Sequence, residues 1–229
     1  MRKAPWIVLV VLGAREIAAQ PRPAALAGLA AYVERARRDW AVPGVALAVV
    51  KDDSVVYAKG FGTRAVGRPD SVDDRTVFAI ASVTKTFTGT AAAMLVGEGT
   101  LRWDDRVVRW LPWFELYDPY VTREITLRDL LSHRSGLGQR GDMLWYMSTY
   151  DRDEIIRRVR FLRPNAGFRE RVGYQNVLFT AAGQVLAAAG GTSWDSLLAR
   201  RIFRPLGMTA TERSAAALSN SKPVSENKE

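Results

Sequence analysis

The chain predicts an α+β fold in which an antiparallel sheet and its helices are segregated along the sequence. Two β-rich runs, 45–51 and 54–61, flank Asp52-Asp53 near the N-terminus and read as a hairpin. Apolar stretches at helical spacing follow over 82–96 and 177–189. No internal repeat or low-complexity array interrupts this order.

Taken from the N-terminus, Arg2 and Lys3 precede an apolar run over 4–14, with small residues at Ala18-Ala19. This is the pattern of a secretory signal cut after Ala19, and the run is shorter than the roughly 20 residues a membrane span needs. Residues 1–19 are therefore expected to be removed, leaving a periplasmic or secreted protein with no stable membrane span. A domain over 20–213 and a polar tail over 214–229 complete the expected organisation. Within the domain, Leu26, Leu29, Val33 and Trp40 fall on one helical face, and Val42-Pro43-Gly44 stops that helix. Ser82 opens a helix with Val83, Phe87, Ala91, Met94 and Leu95 on one side, after a strand-like run at 77–80. Thr126 and Asp129 form a T-x-x-D capping pattern for a helix over 126–133. An alanine-rich helix over 177–189 is closed by Gly190-Gly191, and a last helix over 193–202 stops before Pro205. Two strands alone make no stable sheet, so further strands are expected within 100–175, or the sheet is incomplete.

The composition removes several kinds of chemistry. The 229 residues are 48% hydrophobic and 25% charged, the balance of a globular protein. No cysteine is present and His133 is the one histidine, which excludes disulfides, thiol catalysis and Cys- or multi-His metal centres. The net charge of +9 comes from scattered arginines, with no zinc-finger, helix-turn-helix or RNA-binding signature. It reads as a solvated basic surface, with no nucleic-acid partner expected. The glycines at 60, 62 and 67 do not have dinucleotide spacing, and neither G-x-S-x-G nor a phosphate-cradling G-x-x-x-x-G-K-[ST] occurs.

The chemistry-bearing pattern is Ser82-Val83-Thr84-Lys85. A serine hydroxyl is a poor nucleophile and needs a base; three residues on, Lys85 shares its helix face and can reach it. Ser219/Lys222 and Ser225/Lys228 repeat the spacing in the polar tail, with no apolar helix behind them. Tyr174-Gln175-Asn176 adds a phenol whose pKa a nearby ammonium would lower, and an amide able to orient a carbonyl or hold the lysine.

Five blocks then resemble, in order, the class C β-lactamase-related serine hydrolases, a group with D-alanyl-D-alanine carboxypeptidases and family VIII esterases. They are F-A-I-A-S-V-T-K-T-F-T, E-G-T-L-R-W-D-D, I-T-L-R-D-L-L-S-H-R-S-G-L, G-Y-Q-N and I-F-R-P-L-G-M-T-A-T, spread over residues 24–212. The resemblance implies a β-lactamase/transpeptidase-like fold, an antiparallel sheet packed with helices plus a helical lobe. It implies that Ser82 is the acylated nucleophile, Lys85 its activating amine, Tyr174 the general base and Asn176 the substrate-orienting amide. His133 matches a structural position. The implied substrate is an ester or amide, whether β-lactam, D-Ala cell-wall peptide or carboxylic ester, and no metal or cofactor is implied. One departure is that no K-T-G or H-x-G follows Tyr174. The last sheet strands, one oxyanion N–H and one substrate wall are thus expected to be missing, as in a C-terminally truncated product. An inactive remnant or a non-catalytic cell-envelope binding protein is the rival reading.

Overall fold

Asp52 and Asp53 both take left-handed backbone angles, φ 49° and 57°. Positive φ at both central residues is the geometry of a type I′ turn, whose twist matches that of the strands it joins. Strands β1 (Gly44–Lys51) and β2 (Ser54–Gly62) therefore pair antiparallel as the sequence predicts, from Gly44 opposite Gly62 to Lys51 opposite Ser54, with a bulge between Val49 and Val50. A Cβ at Gly60 would stand 2.2 Å from the Val72 carbonyl oxygen, so glycine there admits the neighbouring chain. Before the hairpin, helix α1 (Leu29–Asp39) follows a 3₁₀ turn at Ala24–Leu26. The single helix expected to carry Leu26 through Trp40 is broken at Gly28, φ 81°.

The computed structural model describes residues 24–146 and 148–211. The signal sequence expected at 1–19 and the tail expected at 214–229 lie outside the described residues. The chain divides into two compact units, whose described parts are residues 24–76, just outlined, and 77–211.

The second unit is built around a helix too apolar to be anywhere but inside. Helix α7 (Val177–Ala189) buries Val177, Leu178, Ala181, Ala182, Gly183, Val185 and Leu186, more than one face. Around it lie α2 (Thr84–Gly97), α3 (Val107–Trp110), α5 (Leu127–Leu131), α6 (Arg152–Arg158) and α8 (Trp194–Leu198). Leu95, Leu101, Val107, Ile125, Leu130, Ile156 and Leu198 complete the core, each fully buried side chain contributing about 1.5–3 kcal/mol. Helix α4 (Pro119–Glu124) starts with proline in its first turn and is capped by Asp118, which accepts from the N–H groups of Tyr120 and Val121. No helix among the described residues is long and apolar enough to cross a membrane.

One expectation needs correction, and of the two alternatives left open for the sheet, the first is not met. The run 77–80 is not a strand: Val77, Phe78 and Ile80 are each about two-fifths exposed, and no described strand offers a ladder to pair their backbone. Among the described residues of 100–175 there are no strands either; the segment folds as α3 to α6, helices of four to seven residues. Pieces that short carry too few turns for a 3.6-residue period to show. The last helix also differs in detail, with α8 passing into a π turn at Ala199–Phe203.

The capping pattern at Thr126 and Asp129 is present in full, each side chain bonded to the other's backbone. Asp129 is buried and does more than cap: its two carboxylate oxygens receive Arg169 Nε at 2.9 Å and Nη2 at 2.7 Å. Burial raises the Asp129 pKa, but the bonds from Arg169 and Thr126 outweigh it and hold the carboxyl below its ordinary value. Arg169→Ala is expected to destabilise the protein by about 1.5–3 kcal/mol in urea unfolding, the value of a hydrogen bond to a charged group. Because the folded pKa is the lower one, this stabilisation is complete above the unfolded value of about 3.9 and is lost as pH falls through the folded value. The difference between wild type and variant should accordingly shrink below about pH 4.

Candidate active site

The chain turns into α2 through a 3₁₀ turn at Ala81–Val83, entered by Ala81 in the left-handed region at φ 43°. Three residues apart where the 3₁₀ turn runs into α2, Ser82 and Lys85 fall on the same face. Lys85 Nζ donates to Ser82 Oγ at 3.1 Å. Val83, expected on the buried face of this helix, is instead 58% exposed; Thr88, Ala91, Ala92 and Leu95 face the core.

Tyr174 and Asn176 arrive from the chain that leads into α7. That chain is held by the loop after α5, where His133 has φ 59° and its carbonyl accepts the Gly173 N–H at 2.9 Å. The Gly136 carbonyl accepts from Asn165 and Ala166, and a Cβ at Gly136 would come within 2.4 Å of the Ala166 oxygen. The loop thus requires glycine where the two segments meet. Gln175, fully buried, turns inward and accepts the Leu178 N–H at 2.7 Å, so Tyr174 and Asn176 on either side point outward.

The four side chains singled out in the sequence form one hydrogen-bonded cluster. Tyr174 Oη is 2.6 Å from Ser82 Oγ and donates to Asn176 Oδ1 at 3.3 Å. Lys85 Nζ also donates to Asn176 Oδ1, at 2.6 Å, and lies 4.9 Å from the Tyr174 ring centre and 5.4 Å from that of Phe179. Hydrogen bonding from Lys85, then from Ser82, stabilises the phenolate and holds Tyr174 below the ordinary phenol pKa, against opposition from desolvation and Asp142. A strong nucleophile–base contact and a lowered phenol are the parts that covalent catalysis through a serine requires.

His133 has no hydrogen bond to Ser82 among the described residues. Its ring packs against Tyr174 at 4.7 Å and Phe179 at 5.3 Å, with Nδ1 buried and unpartnered. Burial first, and Lys85 second, push its pKa down, which keeps the ring neutral beside the ammonium. It shapes the pocket for Tyr174. No group of three His, Cys, Asp or Glu side chains among the described residues could hold a metal ion.

Sequence reading missed Asp142. It lies in a 3₁₀ segment, Gly138–Leu144, and its Oδ1 accepts from Asn176 N at 3.1 Å, Asn176 Nδ2 at 3.0 Å and Trp145 Nε1 at 3.2 Å. Nothing in the local pattern marks this aspartate among 24 acidic residues. Ser82, Lys85 and Asn176 open onto a cleft of about 440 Å³, walled further by Trp145, Phe179 and Trp194. Phe179, one helical turn from Asn176, was within reach of a spacing argument.

A difference titration of tyrosine absorbance between wild type and Tyr174→Phe should report a phenol that ionises below about 10. In Lys85→Ala the same phenol should move up, because the largest stabiliser of its anion is gone.

Comparison with known proteins follows the same lines. The model of the family described as Beta-lactamase matches residues 29–219. Penicillin-binding protein 4 of Amycolatopsis lactamdurans is 35% identical over 179 residues, covering 75% of this chain and 45% of that protein. Esterase EstB of Burkholderia gladioli is 33% identical over 214 residues, covering 80% of this chain and 50% of that protein. Among solved structures, the octameric penicillin-binding protein homologue from Pyrococcus abyssi superposes with a TM-score of 0.74 at 27% identity, over 86% of this chain and 46% of that one. The chain thus spans half or less of the length of these relatives.

Proposed function

The chain belongs to the beta-lactamase family, and we propose from that premise that it is a serine hydrolase forming an acyl-enzyme at Ser82. The observation that carries this is the position of Ser82 Oγ, 2.6 Å from Tyr174 Oη and 3.1 Å from Lys85 Nζ. Tyr174 as phenolate takes the Ser82 proton while Oγ bonds to the carbonyl carbon of an ester or amide. The Lys85 ammonium stabilises the negative charge on both oxygens during the transfer. Tyr174 then returns the proton to the departing alkoxide or amine, and the carbon–heteroatom bond breaks. A water gives its proton to Tyr174 and attacks the acyl carbonyl; Oγ leaves, retakes the proton, and the acid is released.

Asn176 holds Lys85 through its carbonyl oxygen and keeps the ammonium between Ser82 and Tyr174. A developing oxyanion finds a donor in the Ser82 N–H. The first bonds of the turn run from Val83 N–H to the Ile80 carbonyl and from Thr84 N–H to those of Ala81 and Ser82, leaving the Ser82 N–H without a backbone acceptor among the described residues. The substrate classes this chemistry serves are β-lactams, D-Ala peptides and carboxylic esters, which share an electrophilic carbonyl. The penicillin-binding and esterase names of the relatives agree with that range.

The test is intact mass of the protein after exposure to a penicillin and, separately, a fluorophosphonate. One adduct is expected with wild type, none with Ser82→Ala, and unchanged circular dichroism in both. No adduct on folded wild type would overturn the proposal in favour of a protein that binds without reacting. Asp142→Ala should slow labelling by about 10²-fold, the usual cost of misplacing a reacting group by an ångström. The rate of labelling should rise with pH through the lowered ionisation of Tyr174, and this limb should vanish in Tyr174→Phe.

A further inference from the structure

We propose that the cleft beside Ser82 is an acyl subsite for a neutral apolar group, an aryl or branched alkyl chain attached to the carbonyl that Ser82 attacks. The proposal rests on the serine hydrolase reading above and adds the class of substrate.

The chemistry of the walls carries it. Away from the Ser82, Lys85 and Asn176 end of the cleft, its largest polar groups are engaged with one another. The Arg152 guanidinium meets both oxygens of Asp195, at 2.6 and 3.2 Å, and lies 5.3 Å from the Trp194 ring centre. Gln184 Nε2 donates to Asp153, Trp194 Nε1 to Thr88 Oγ1 at 3.3 Å, and Trp145 Nε1 to Asp142. Beyond the end formed by Ser82, Lys85 and Asn176, the wall is mostly ring face and methyl, a surface that gains by excluding water, and the one cation there, Arg152, is already balanced by Asp195. The volume of about 440 Å³ lies in the range of small-molecule sites.

Gly183 explains how the space exists. It sits in the middle of α7, where glycine is a poor helix former, and a Cβ there would come within 3.1 Å of Trp194 Cδ1. A larger residue would push into the indole and close the cleft from the floor. The side of the substrate follows from Tyr174. That phenol delivers the proton to the leaving group, and it does not line the cavity, whereas Ser82, Lys85 and Asn176 do. The leaving group therefore points away, and the part retained on Ser82 lies between the two indoles.

The experiment is a titration of Ser82→Ala, which cannot be acylated at this position, with ethyl phenylacetate, ethyl acetate and the anion monoethyl succinate, followed by tryptophan emission. Ethyl phenylacetate is expected to bind at least about tenfold tighter than either of the others, since each buried carbon adds roughly fourfold. Gly183→Leu in the same background should abolish this preference. Gly183→Ala, which keeps the helix and adds one methyl, should reduce it about threefold, so the result does not depend on the larger variant folding. Equal binding of the three esters, tightest binding of the succinate, absence of binding, or a preference untouched by both Gly183 variants would overturn the subsite. Selective binding of phenylacetate combined with unlabelled wild-type Ser82 would leave the subsite standing and remove the hydrolase reading instead.

Discussion

One ammonium group joins the two helices on which the site depends. Lys85 leaves the first turn of α2, and its Nζ binds both Ser82 in the 3₁₀ turn just before it and Asn176 at the start of α7. The bonds are short enough to form only if the two helices keep their register. That register is set by apolar packing, with Thr88, Ala91, Ala92 and Leu95 of α2 and Ala181, Ala182 and Val185 of α7 all buried. Small residues on both helices allow a close approach, and the distance between helix axes depends on such side chains. The polar cluster is thus a consequence of the core beneath it. Its hydrogen bonds alone, worth about 1 kcal/mol each, could not hold two helices in place against that packing.

The loop after α5 supplies the second constraint. Asp129 ties its start to Arg169 and caps α5, the His133 carbonyl holds Gly173, and Gly136 receives Asn165 and Ala166. These contacts bring segments about thirty to forty residues apart in sequence side by side and fix the direction of Tyr174. His133 takes part as a neutral ring. A cationic imidazole against Tyr174 and near Lys85 would repel the ammonium, and burial lowers its pKa in the same sense. The positive φ at Ala81, where the chain enters the turn that carries Ser82, places a strained residue next to the serine.

Legibility in the sequence followed the length over which a physical rule repeats. The hairpin showed as two β-branched runs around a turn, and α7 showed as thirteen residues with hardly a polar side chain. The cap at Thr126 and Asp129 is a rule of four residues and was read directly. Ser82 with Lys85, and Tyr174 with Asn176, were legible as two local pairs, while the resemblance rather than any spacing rule joined the pairs across about ninety residues. The short helices α3 to α6 were not, since four to seven residues carry too little periodicity. The run 77–80 has strand composition but lacks a neighbouring strand, and pairing is a tertiary fact. Asp142 is 34 residues from the amide it holds, so no spacing rule connects them.

Asp142 also decides which way the Asn176 amide faces. An amide has a donor end and an acceptor end that are nearly the same size, and its direction is set by what stands at each. A carboxylate accepts only, so the end toward Asp142 Oδ1 must be Nδ2. An ammonium donates only, so the end toward Lys85 must be Oδ1. Turning the amide over would set NH₂ against NH₃⁺ and oxygen against carboxylate, two repulsions in place of two charge-assisted bonds. The backbone N–H of Asn176, bound to the same Oδ1, anchors the residue at its other end. The charge on Asp142 therefore reaches Ser82 through a single rigid amide: it fixes the oxygen that receives Lys85, which in turn fixes the ammonium that faces the hydroxyl. An aspartate with no contact to Ser82 is in this way part of what orients it.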